Sequence, residues 1–270
     1  MYCATLTRRN PFHDSIRETV RAEPRALSEA DIDALARVMD TFGVAVLRNV
    51  VPAAVLAQMR DFIENEMRQN GQGSGLAGSD WVSASPLAAL GCSPAFHDIL
   101  LALWERAMQR LAPDVEVAAS LRVLGGTVRL RHPWRFHYDS CVVTALIPLP
   151  GRDRPDEPYG VVLDPGWRPV RRRSSATTPE NAVVNHPLVR PIWRTPTVRD
   201  RLSPHVIPVH PGNIYFFRGM QSLHGHPPRL PERVRSIALF HFGDPHAASF
   251  LKRLSARYLQ PNLRRKNSAP

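Results

Sequence analysis

The chain is short of cysteine, of lysine and of long apolar runs, and each shortage excludes something. Cys3, Cys92 and Cys141 share no CxxC spacing and form an odd set. A disulfide framework and a zinc ribbon are therefore excluded, and a reducing, cytoplasmic setting is expected. No run of about 18 apolar residues exists; the longest apolar stretch, Cys141–Pro150, is broken by prolines. A membrane span is excluded on that ground. The opening segment MYCATLTRRNPFHDS lacks the apolar centre of a leader, so no secretory signal is expected. No internal repeat is visible.

Lysine is almost missing: only Lys252 and Lys266 are present, so 33 of the 35 basic residues are arginine. GC-rich coding alone can produce that skew. The formal net charge of +11 invites a nucleic-acid reading. However, six basic residues and no acid lie within 245–270. More than half of the excess is thus confined to one terminal segment, read first as a solvated tail and second as a docking patch for an anionic partner.

What is present is an ordinary globular balance, 43% hydrophobic and 22% charged over 270 residues, enough for one domain with a substantial core. Ser28 with Asp31 three residues on reads as a helix start, with Leu27 as a staple. Ile32, Leu35, Ala36, Met39 and Phe42 follow at helical spacing, and Gly43 closes the helix. GVAVLRNV reads as a strand, Pro52 opens a second helix, residues 70–80 read as a flexible loop, and Ser93-Pro94 opens a third helix to about Leu111. Strand-like runs then take over at Val115–Val123, Thr127–Arg131, Cys141–Leu149, Asn213–Phe217 and Val234–Phe242. Thirteen of the 26 prolines lie from Pro148 to Pro211, which reads as a substrate-covering loop. A last helix is expected at His246–Leu259. Helices followed by a β-rich block indicate an α+β fold with a sandwich or barrel.

His137-Tyr138-Asp139 carries the chemistry. Residues two apart on a strand face the same way, so the imidazole and the carboxylate converge while Tyr138 turns aside. They offer two ligands to a metal, and His224 in SLHGH is the candidate third. Two histidines and one carboxylate occupy one face of an octahedron and leave the other positions open, as in non-haem Fe(II) oxygenases. Arg235, eleven residues beyond His224, starts another apolar strand, where its planar fork suits a carboxylate.

These residues resemble the phytanoyl-CoA dioxygenase-like branch of the Fe(II)/2-oxoglutarate oxygenases. TFGVAVLRNVVPAAVLAQMRDFI is similar to that branch's opening strand and helix, FHYDS supplies the HxD, HPGNIYFFRGMQSLHG the distal histidine, and RSIALFHF the co-substrate arginine. The resemblance implies a double-stranded β-helix, a jelly-roll or cupin-like barrel, with N-terminal helices packed on one sheet. One domain would span 1–270: a helical part at about 28–112, a barrel at about 115–243 with a Pro-rich insert at 150–211, and a basic helix and tail at 246–270. His137, Asp139 and His224 would bind Fe(II). Arg235 would pair with the distal carboxylate of 2-oxoglutarate, which is decarboxylated to succinate as O2 is consumed.

Halogenating relatives have a small residue in place of the carboxylate, so Asp139 indicates hydroxylation, desaturation, cyclisation or epoxidation. His226 shares the strand parity of His224 and competes as ligand, and Arg233 competes with Arg235. His132, His210 and His241 read as barrel or loop histidines. Arg129 and Arg131 read either as edge-strand arginines or as cavity residues that hold an anionic group. Trp81 and Trp134 read either as pocket lining or as core. The implied substrate is a small molecule or a carrier-linked group, with no membrane partner. Nucleic acid is disfavoured, because the demethylase branch places a second arginine six residues after the first and position 241 is histidine. The alternatives are an oxygenase acting on protein or RNA docked by the Arg-rich tail, and a non-catalytic relative.

Overall fold

The structure is a computed structural model that describes residues 27–70, 75–77, 80–112, 117–124, 136–150, 159–164, 195, 205–225 and 235–244. The expected strand at Thr127–Arg131, the helix at His246–Leu259 and the basic tail lie outside the described residues.

The helical half follows its local signals. In α1 (Glu29–Phe42) the Ser28 hydroxyl accepts from the Asp31 backbone N–H while the Asp31 carboxylate accepts from the Ser28 N–H, a reciprocal cap. The helix stops at Gly43, whose φ of 80° is a left-handed conformation that costs other residues more. Strand β1 (Val44–Leu47) follows, then α2 (Ala53–Asn70). Two short turns, α3 (Asp80–Ser83) and α4 (Ala88–Gly91), lead to α5 (Pro94–Met108). The Ser93 hydroxyl caps α5 by accepting from Phe96 N–H at 3.1 Å.

The strands form two antiparallel sheets. The larger has the order β1-β7-β4-β9-β3-β2, with β2 (Gly75–Ala77), β3 (Ala118–Leu124), β4 (Val143–Leu149), β7 (Ile214–Phe217) and β9 (Arg235–Phe242). The smaller has the order β6-β5-β8, with β5 (Tyr159–Asp164), β6 (His205–Val209) and β8 (Leu223–Gly225).

Two expectations need correction. The segment 70–80, read as a loop, contains β2, which pairs Gly75–Ala77 with Ser120–Arg122. The proline-rich stretch 150–211, read as a covering loop, contains β5 and β6, which supply most of the smaller sheet. Pro208 is tolerated because β6 is an edge strand, where a missing N–H breaks no second ladder.

Alternation along the larger sheet builds two cores. Its outer face (Ala45, Ala145, Phe216, Ala238, Phe240, Leu121 and neighbours) packs against Leu35, Met39, Met59, Phe96, Leu100 and Trp104 of the helices. Its inner face (Val44, Val46, Leu146, Tyr215, Phe217, Ile237, Leu239) packs against Ile207 and Val209 of the smaller sheet. The functional residues stand at one end of this inner layer. No described helix is long and apolar enough to cross a membrane.

Candidate metal centre

Backbone pairing brings the predicted residues together. His137 and His224 form an isolated antiparallel bridge, with His137 N–H donating to His224 O at 2.9 Å and His224 N–H to His137 O at 3.0 Å. Directly opposed residues in such a pair present side chains to one face, and the two imidazole centroids are 4.3 Å apart. Two residues on, Asp139 N–H donates to Gly219 O at 2.9 Å, which holds the carboxylate against the β7–β8 turn.

The two carboxylate oxygens of Asp139 have different neighbours. Oδ1 faces the histidines, 3.4 Å from His224 Nε2 and 3.8 Å from His137 Nε2. Oδ2 accepts from the Thr144 hydroxyl at 2.6 Å and lies 3.5 Å from His241 Nδ1. Since the Thr144 hydrogen is used on Oδ2, its oxygen can only accept at its 3.2 Å contact with His241 Nδ1, so that nitrogen carries the proton. Gly219 closes the pocket from below. A Cβ there would meet Asp139 Oδ2 at 2.5 Å and Thr144 Oγ1 at 2.6 Å, so no larger residue fits without moving the carboxylate.

The donor set fits a divalent first-row metal. One ligand atom from each of His137, Asp139 and His224 lies within 4.8 Å of the others. Bonds of about 2.1 Å put adjacent ligand atoms about 3 Å apart, close to the 3.4 and 3.8 Å that separate Asp139 Oδ1 from the two imidazole nitrogens. His224 Nδ1 is 3.0 Å from the Ser222 carbonyl, which can only accept; the proton is therefore on Nδ1 and the Nε2 lone pair is free for a metal. Burial alone raises the Asp139 pKa, but the charge and hydrogen bond of His224 and the charges of His241 and His137 outweigh it. The carboxyl is held well below the usual range. Burial lowers the His224 pKa, but Asp139 and the Ser222 carbonyl outweigh it and hold the group above its ordinary value. Burial dominates at His241, whose pKa is lowered.

The other sequence candidates separate. Arg235 begins β9 opposite Leu124, with the parity of Ile237, Leu239 and His241. Arg129, Arg131, Trp134, His132, His226 and Arg233 lie outside the described residues. Trp81 is buried in the outer core, 6.2 Å from the Phe240 ring, on the helix side of the large sheet. His210 is away from the cluster, its N–H donating to the Tyr215 hydroxyl at 2.9 Å. His241 is more than a barrel histidine, since it touches the ligand carboxylate. Its signal was available: six residues beyond Arg235 it keeps the same strand parity. Thr144 and Gly219 carried no local signal, because their roles come from pairings across the sheet.

No protein-family model and no curated protein matches the chain. Solved structures do match. The non-heme alpha ketoglutarate dependent carbocyclase SnoK from nogalamycin biosynthesis is 17% identical with a TM-score of 0.51, covering 87% of this chain and 93% of that one. A structure of prolyl 4-hydroxylases from Phytophthora capsici is 12% identical with a TM-score of 0.50, covering 78% of this chain and 62% of that one. At this identity the likeness establishes the fold, a double-stranded β-helix with helices on its larger sheet.

Proposed function

We propose that the chain is an Fe(II)- and 2-oxoglutarate-dependent oxygenase, of the phytanoyl-CoA dioxygenase-like type, that oxidises a small molecule or a carrier-linked group. The observation that carries this reading is the convergence of His137, Asp139 and His224, with His224 Nε2 freed by Ser222 and Asp139 Oδ1 turned toward both imidazoles. These three side chains would hold Fe(II) on one face of its coordination sphere. When bound, iron and 2-oxoglutarate would supply the oxidising power, one atom of O2 entering succinate as CO2 is lost and the other entering the product or leaving as water.

The protein's own residues position and shield. Arg235, at the start of β9, would pair with the distal carboxylate of 2-oxoglutarate. Thr144 and His241 hold Asp139 Oδ2, so Oδ1 is the oxygen offered to the metal. Phe217, part of the buried apolar layer with Leu146 and Leu239, packs its ring 5.0 Å from the His224 imidazole and shields that side of it. With a carboxylate at position 139 the expected outcome is hydroxylation, desaturation, cyclisation or epoxidation.

Purified protein given Fe(II), 2-oxoglutarate and air should release succinate with loss of O2. His137→Ala, Asp139→Ala and His224→Ala should each lose metal binding and this activity. Metal binding that survives in all three variants would overturn the assignment.

A further inference from the structure

Strand β3 carries an arginine on the wrong side for packing. Ala119, Leu121 and Val123 are buried in the outer core, whereas Arg122 between them is exposed. The register places Arg122 opposite Ile237, Ser120 opposite Leu239 and Ala118 opposite His241. Opposed residues share a face, so Arg122 stands on the inner wall, the wall whose end holds His241 and Asp139. Its other neighbour is Gly75 of β2, which offers no side chain to cover it. No hydrogen bond or ion pair of Arg122 is found among the described residues. Beside it the Ser120 hydroxyl is buried without a hydrogen-bond partner among those residues.

A planar guanidinium with no acid paired to it among the described residues, on the wall of a reaction site, is suited to bind an oxyanion through two parallel N–H donors. Arg235 is opposite Leu124, two residues further along β3, so the two arginines hold different register positions. We propose that Arg122 is a substrate-recognition residue that binds a carboxylate or phosphate group of the molecule being oxidised, so that the preferred substrates are anionic. This rests on the oxygenase reading above.

The test uses full-length protein loaded with Co(II) and saturated with 2-oxoglutarate, which holds the site without turnover. Propionate and inorganic phosphate are titrated into wild type, Arg122→Gln and Arg122→Lys by calorimetry. Wild type should bind at least one of the two anions at a single site. Arg122→Gln should weaken that binding by about tenfold or more, the size of a lost charge-assisted contact, and Arg122→Lys by less. Co(II) and 2-oxoglutarate affinities should be equal in all three proteins. Equal anion binding in Arg122→Gln, or no binding of either anion to wild type, overturns the proposal. So does a loss of 2-oxoglutarate affinity with anion binding unchanged, which would assign Arg122 to the co-substrate. Failure of wild type to bind Co(II) would instead sink the oxygenase reading, and the anion titration of the metal-free protein would then decide the role of Arg122 alone.

Discussion

The Thr144 hydroxyl donates to Asp139 Oδ2 at 2.6 Å, and through that bond the carboxylate presents its other oxygen to His137 and His224. Thr144 lies opposite His241 in the β4–β9 pairing, so both residues that hold Oδ2 come from the sheet behind the metal cluster. Partners of this kind orient a ligand and tune its basicity.

Replacing Thr144 by Val keeps shape and removes the donor. Metal affinity should fall about 10- to 100-fold, the usual effect of losing such a partner, and Thr144→Ser should recover most of it. Titration with Co(II) and its absorption spectrum would check both. An unchanged spectrum in Thr144→Val would show that Oδ2 needs no donor.

Gly219→Ala should damage the site more than the fold. The added Cβ meets Asp139 and Thr144 below 3 Å, and relief requires the carboxylate to move. Overpacking of this sort costs about 1–3 kcal/mol. Thermal unfolding should report a modest loss, while metal affinity falls by about tenfold or more. Wild-type metal affinity in Gly219→Ala would contradict the close fit.

The reach of the helices to the site runs through Arg218. Its guanidinium is buried and its Nε donates to Asp40 Oδ1 of α1 at 2.6 Å, while its carbonyl accepts from Gln221 and Ser222 in the β7–β8 turn. That turn supplies the Gly219 and Ser222 carbonyls that hold Asp139 and His224. Asp40→Ala should cost about 1–3 kcal/mol, because a buried charge loses its partner next to solvent. Chemical denaturation would measure this, and metal affinity should fall alongside it. A loss of stability with no change at the metal would disconnect the two.

Proton competition sets a pH dependence. In the metal-free protein the His224 pKa is raised above its ordinary 6.5, so a proton holds the group to a higher pH than usual. A metal must displace that proton. Affinity should be complete above the raised pKa and fall by about tenfold per pH unit below it, with the loss beginning above the ordinary imidazole range. Co(II) titrations from about pH 8 to about pH 6 would show it. A flat response down to pH 6.5 would show that His224 is not the ligand in competition.

Trp104 tests the outer core separately. Its Nε1–H donates to Gly243 O at 3.0 Å just beyond β9. Trp104→Phe should cost about 0.5–1.5 kcal/mol for the lost hydrogen bond, since Gly243 O keeps the Val142 N–H at 3.2 Å, with metal affinity retained. A large loss of metal binding would mean that β9 is less independent of the helices than the two-core arrangement implies.

Much of the helical half was legible because its determinants are local. Ser28 and Asp31, Ser93-Pro94 and Gly43 act within a turn or two of themselves, and the structure keeps each as a helix boundary. The HxD pair was legible for the same reason, since strand alternation alone makes residues 137 and 139 converge. Strands β5 and β6 were not, because prolines and glycines around them carry loop signals and their stability comes from pairing with each other and with β8. The positions of His241 and Arg122 were not legible, because register across β3, β9 and β4 decides which strand residues share a wall.

The sequence by itself therefore determined the chemistry on offer: histidine and carboxylate at the right local spacing, and an arginine-rich chain without a disulfide framework. Only the tertiary structure decided how those groups face one another. It put His137 opposite His224 across a backbone bridge, divided the two oxygens of Asp139 between a metal face and the Thr144–His241 pair, and set Arg122 on the inner wall. The physical reason is that a side chain's identity and alternation are local properties. Which oxygen is free, which tautomer is present and which charge is felt all depend on neighbours distant in the chain.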